Sequence, residues 1–207
     1  MNILRSDSGF APNPFHGICT LACCRPVIRR GASVGDWVIG VTPKHLGNDL
    51  AYAMRITDAP IPFGEYFQDR RFAAKKPRKP ADGAPFAETC GDNCYELHPD
   101  GTHRQHPCAH NGFADDEDLE NKKWDLSGKF VLVSREFAYF GAEPWPLDKR
   151  RYGFMIPARY NRVKFAVDEE QKILDLLATL PRGIHARPRG WRESEDDSSW
   201  RDKRRCR

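Results

Sequence analysis

No run of about 18 apolar residues occurs in this chain of 207 residues, so the sequence offers no membrane-spanning helix. The N-terminus, Met1-Asn-Ile-Leu-Arg-Ser-Asp, lacks the apolar core of a signal peptide, and the expected location is the cytoplasm. There is no Walker phosphate loop, no dinucleotide-binding glycine fingerprint and no HExxH, so the familiar routes to ATP, NAD and zinc-peptidase chemistry are not signalled. Neither a Cys-x2-Cys pair nor an internal repeat is found, which sets aside standard zinc fingers and solenoids.

Seven cysteines are present all the same. In a reducing compartment they are free thiols, metal ligands or catalytic groups rather than disulfides, and an odd number cannot all pair within the chain. Hydrophobic residues make up 40% and charged residues 30%, the balance of a globular protein with one sizeable core. The net charge of +4 is concentrated at the C-terminal end. Residues 182–207 carry nine Lys/Arg against five Asp/Glu, and the preceding residues are neutral. The expected organisation is a single domain over 1–181 and a flexible basic tail over 182–207. Arginines interleaved with Trp191 and Trp200 suit either a solvated tail or one that grips phosphates and stacks on bases.

The densest stretch is the first forty residues. Gly9, Pro12, Pro14 and Gly17 shape an irregular backbone, on which Asn13, His16, Cys19, Cys23 and Cys24 are carried. Arg25, Arg29 and Arg30 follow at once. Nearby cations lower a thiol's pKa and also attract phosphate, so Cys19, Cys23 and Cys24 are candidate nucleophiles, and Asn13, His16, Arg25 and Arg29 candidate nucleotide contacts. If the stretch were helical, Cys19 and Cys23 would share a face. The opposite reading, small buried cysteines packing the core, stays open.

Beyond it, Trp37-Val-Ile-Gly-Val-Thr and Leu50-Ala-Tyr-Ala-Met-Arg-Ile-Thr predict paired strands around the turn Gly47-Asn48-Asp49, with Leu50, Tyr52, Met54 and Ile56 on one face. Residues 65–72 predict a short helix, 73–89 a Pro-rich basic loop, and 129–134 a buried strand. Residues 167–180 predict a helix capped by Asp168, burying Ile173, Leu176, Leu177 and Leu180 and stopped by Pro181. The expected class is α+β, a small curved sheet or partial β-barrel with a few flanking helices.

The chain resembles the nucleotide modification associated domain 2 family of bacteria and phages through Ser8-Gly-Phe-Ala-Pro-Asn-Pro-Phe, Cys19-Thr-Leu-Ala-Cys-Cys-Arg-Pro-Val-Ile-Arg, Gly35-Asp-Trp-Val-Ile-Gly, Tyr52-Ala-Met-Arg-Ile-Thr, Gly91-Asp-Asn-Cys-Tyr and Phe137-Ala-Tyr-Phe-Gly. That resemblance implies a part in DNA base modification or its recognition and carries over no established catalytic residue. Cys94 stands where the motif has an apolar residue. Gly35-Asp36-Trp37 with the later strand is also similar in layout to PUA-like domains, which seat a modified base among aromatics. Stacking a base uses two or three aromatic walls, and Trp37 beside Asp36, together with Tyr139, are the pocket candidates among the aromatics, while Asp92 and Asn93 either only form the Gly-Asp-Asn turn or face the site.

A further cluster runs Cys90-x3-Cys94-x3-His98-x4-His103-x2-His106-x-Cys108-x-His110. Thiolate and imidazole are zinc's ligands, and Cys90, Cys94, His106 and Cys108 are the candidate set, against a plain His-rich loop. No other cofactor is indicated. The leading function is a nucleotide or modified-base binding domain in DNA base modification, with DNA or a nucleotide and other modification proteins as partners. The alternatives are a thiol- or zinc-dependent enzyme acting on a base or nucleotide, and a partner-binding subunit without a pocket.

Overall fold

Two apolar runs, Leu50-Ala-Tyr-Ala-Met and Val131-Leu-Val, nucleate two separate sheets. The computed structural model describes residues 1–79, 86–147, 161 and 164–190. The larger sheet has five strands, β1 (Asn2–Ile3), β3 (Trp37–Val41), β4 (Leu50–Arg55), β9 (Glu136–Tyr139) and β10 (Gly183–Ile184), side by side in that order. The inner pairs are antiparallel, and both edge strands join parallel. A three-stranded antiparallel sheet orders β2 (Cys19–Leu21), β8 (Phe130–Ser134) and β5 (Ile61–Pro62). Strands β6 (Tyr95–Leu97) and β7 (His103–Gln105) form a separate hairpin.

Three apolar cores separate the layers. Helix α5 (Val167–Thr179) lays Ile173, Leu176 and Leu177 on the outer face of the large sheet, against Ile39, Val41 and Ala138. Each such side chain stabilises by about 1.5–3 kcal/mol when fully buried. Tyr52, Met54 and Tyr139 fill the second core with Leu21 and Leu132 from the smaller sheet. The third core, under α2 (Phe63–Gln68) and the hairpin, joins Cys23, Cys24, Cys94 and Cys108 to Phe10, Phe63, Tyr66, Tyr95 and Val133. The remaining helices are α1 (Pro26–Gly31), α3 (Phe86–Thr89) and α4 (Leu119–Leu126). The α+β class with small sheets is as expected, and the described strands leave both sheets open.

Several expectations are corrected. Leu50 does not share a face with Tyr52 and Met54. Pairing passes from Gly40–Tyr52 to Val41–Leu50, so Ala51 is an extra residue that turns Leu50 into the α5 core. Asp168 does not cap α5. Glu169 reaches back to the Ala166 N–H at 3.1 Å, and Asp168 pairs with Lys172 instead. Cys19 to Leu21 is a strand, because Thr20 and Leu21 find a partner in Val133 and Leu132. Residues 183–190 of the expected tail pack on the domain, as β10 and as a turn whose Gly190 N–H meets the Asp7 carbonyl. Residues 191–207, with Trp191, Trp200 and Cys206, lie outside the described residues, as do 80–85 of the basic loop. Among the described residues no helix is long and apolar enough to cross a membrane.

Candidate functional site

Strand β2 leaves the small sheet at Leu21, and the chain must turn sharply before Pro26 opens α1. Cys24 and Arg25 make that turn with φ of 59° and 44°. Left-handed backbone costs a residue with a side chain about 1–2 kcal/mol. Here it is clamped from both sides. The Cys24 N–H donates to Asp125 Oδ1 at 2.6 Å, and the Cys24 carbonyl accepts from Arg29 Nε at 2.7 Å. Arg29, fully buried, also donates to the carbonyls of Phe130 and Asp125. Gly128 makes the space for it, since a Cβ there would lie 2.3 Å from the guanidinium carbon.

This turn aims the Cys24 thiol at His110. Sγ lies 3.6 Å from Nε2, and Nδ1 lies 2.8 Å from Asp125 Oδ2. Cys24 is 5% exposed and the His110 side chain 8%. Phe10, from the Ser8–Phe15 motif, packs on the imidazole with ring centroids 4.6 Å apart. Asp125 also accepts from the Tyr95 hydroxyl at 2.7 Å. Burial raises the Asp125 carboxyl, but His110, the Arg29 guanidinium and the Cys24 N–H outweigh that and hold it below the usual carboxylate range. An ionised Asp125 fixes the proton of a neutral imidazole on Nδ1, so the Nε2 lone pair faces the thiol. That is the order of groups in a nucleophile–base–acid relay.

The other cysteines differ. Burial pushes the thiols of Cys19 and Cys23 up to about 12, and neither has an imidazole hydrogen bond. Cys23 donates to the Asp92 carbonyl at 3.7 Å and Cys19 to Met54 Sδ. Burial, and after it donation to Cys108, raises the Cys94 thiol, and that same hydrogen bond lowers Cys108. Cys23 Sγ, His110 and Asp125 offer ligand atoms within 4.8 Å of one another, the one such metal-competent group among the described residues. Of the four residues expected to hold zinc, Cys94 and Cys108 reach this region. Cys90 instead meets Asn13, and His106 pairs with Glu96 at 2.7 Å and stacks on Phe67.

The remaining candidates build the frame. Asn13 donates to the Gly9 and Cys90 carbonyls and receives the buried Lys75 ammonium at 2.7 Å. Asp92 accepts from Thr20, Ala22 and Tyr66, tying the Gly91-Asp-Asn turn to the strand before Cys23. Gly91 is required there, because a Cβ would sit 2.2 Å from the Lys75 carbonyl oxygen. Arg25 donates to the Ile3 carbonyl. His16 is exposed and lies 3.1 Å from the Ala87 carbonyl. Asp36 holds a surface turn through the Ser33 N–H, and half-buried Trp37 packs against the α5 core beneath Arg182. Tyr139 is fully buried and donates to Asp7. Gly31-Ala-Ser33-Val-Gly35 has the spelling of a hydrolase elbow, but Ser33 is exposed and follows a helix rather than a strand. Asp125 is the residue sequence reasoning missed, since nothing in Trp124-Asp125-Leu126 sets it apart from a solvated acid.

A family model described as nucleotide modification associated domain 2 matches residues 1–195. No curated protein and no solved structure matches the chain.

Proposed function

We propose, from the premise that this chain belongs to the nucleotide modification associated domain 2 family, that it is a thiol-dependent enzyme acting on a base or nucleotide within a modification system. Cys24 is the nucleophile, His110 the base and Asp125 the group that orients His110. The observation that carries the reading is the Cys24–His110–Asp125 relay. In the step it suits, the Cys24 S–H proton passes to His110 Nε2 and sulfur bonds to an unsaturated carbon of the substrate. The displaced π pair moves to the neighbouring atom, and His110 returns the proton there or to the leaving group.

Alkylation with iodoacetamide near neutral pH, mapped by mass spectrometry, tests the assignment. Cys24 is expected to react first, and His110→Ala to slow it by about tenfold. Alkylation spread evenly over the cysteines, or unchanged in His110→Ala, overturns it. The metal-competent group of Cys23, His110 and Asp125 favours a second reading, a bound zinc ion. Against it, both Asp125 oxygens already accept hydrogen bonds. Stoichiometric zinc in protein purified without chelator would select that reading.

A further inference from the structure

Beside the thiol cluster lies a cavity of about 320 Å³ with Phe67, Lys76, Lys79, Asn93, His106 and Pro107 among its walls. That volume sits at the lower end of small-molecule sites. Two walls adjoin the cluster along the chain, because Asn93 precedes Cys94 and Pro107 precedes Cys108. Asn93 is 1% exposed. Its Nδ2 donates to the Tyr66 and Phe72 carbonyls at 3.0 and 3.3 Å, which fixes the carboxamide orientation. Its Oδ1 has no hydrogen-bond partner among the described residues. A buried acceptor left alone is costly, and native proteins keep few of them. Other lining residues are aromatic and cationic. Phe67 stacks on His106 at 5.0 Å with an interplanar angle of 14°, and the Lys76 ammonium lies 3.7 Å from the Phe67 ring centre. Lys79 stands at the rim, paired with exposed Asp115.

We propose that this cavity binds a nucleotide unit whose base carries an exocyclic amine. The amine supplies the hydrogen that Asn93 Oδ1 lacks, the base takes the Phe67 face now held by the Lys76 ammonium, and Lys76 and Lys79 meet the phosphate. An acceptor oxygen with its amide nitrogen already committed selects for a donor edge and against a bare carbonyl edge. The inference rests on the thiol-enzyme reading only in taking the bound nucleotide for a substrate.

Calorimetric titration of the Cys24→Ser protein with the 5′-monophosphates of deoxyadenosine, deoxycytidine, deoxyguanosine and thymidine, and with a short single-stranded oligonucleotide, tests it. The three amine-bearing nucleotides are expected to bind more tightly than thymidine monophosphate. Phe67→Ala and Lys76→Ala, at half-buried and exposed positions where the fold is not at risk, are each expected to weaken binding by about tenfold. Tighter binding of the oligonucleotide assigns the unit to a strand, and tighter binding of the monophosphate to a free nucleotide. No binding, equal affinity for thymidine monophosphate, or affinity unchanged in both variants overturns the proposal. Because nucleophile chemistry is absent from these titrations, their failure leaves the Cys24 assignment standing. Conversely, reactivity of Cys24 that ignores His110 leaves the cavity standing.

Discussion

Cys24 keeps its left-handed backbone because two distant side chains, Arg29 and Asp125, hold its carbonyl and its amide. Gly128 is the weak point of that clamp, since any side chain there enters the guanidinium's space. Gly128→Ala is expected to cost about 1–3 kcal/mol of stability and to slow alkylation of Cys24, measured by thermal melting and peptide mapping. A melt and a labelling rate both equal to the parent's would show that Arg29 does not set the turn. At this scale the sequence was partly legible. The crowding of glycine, proline, cysteine and arginine before residue 30 marks the segment that holds Cys24, but does not single out one cysteine. That choice depends on His110, more than eighty residues away, and on an acid hidden inside α4. Arginines at 25 and 29 read equally well as phosphate ligands, and only their carbonyl partners show that they brace the backbone.

Among the elements, those with a full period in the sequence were found and those with less were not. Helix α5 spans thirteen residues and buries Ile173, Leu176 and Leu177, enough for the 3.6 spacing to declare itself. Strand β8 is a continuous apolar run. Strand β2 has three residues, too short to tell strand from helix, and a single inserted residue at Ala51 reverses the face of Leu50. Strand β10 has two residues and owes its place to pairing with β9. In the sequence it belongs to the basic tail, because Arg182 and Arg187 flank it. Truncation after residue 190 keeps β10 and the Gly190 amide, so its melting temperature is the reference. Truncation after residue 181 removes β10 and the amides that reach Asp7, and is expected to lower it by several degrees, roughly the effect of about 1–2 kcal/mol on a domain of this size. Equal melting of the two truncated forms would show that β10 is dispensable.

For the whole molecule, the layered cores bury thiols and phenols as thoroughly as hydrocarbon. Cys19, Cys23 and Tyr52 all titrate near 12 when folded, against ordinary values of 9.0 for the thiols and 10.0 for the phenol. A group whose folded pKa is raised gives stability that is complete below its unfolded pKa and is lost as pH climbs toward the folded one. Stability should thus fall from about pH 9 upward, with a slope near 1.4 kcal/mol per pH unit for each thiol that differs between the two states. Urea unfolding across that range checks it, and Cys19→Ala should flatten the slope. A flat profile would mean that the thiols are not desolvated as drawn.

The turn at residues 189–190 has a consequence of another kind. Asp7 opens the motif that carries Phe10 to His110, yet its carboxylate and carbonyl accept from the Arg189 and Gly190 amides. The motif is therefore held in place by a segment 182 residues further along the chain. A chain cut before residue 189 would keep every residue of the proposed relay and lose the amides that hold the motif behind it, so the geometry at Cys24 leans on residues that take no part in it.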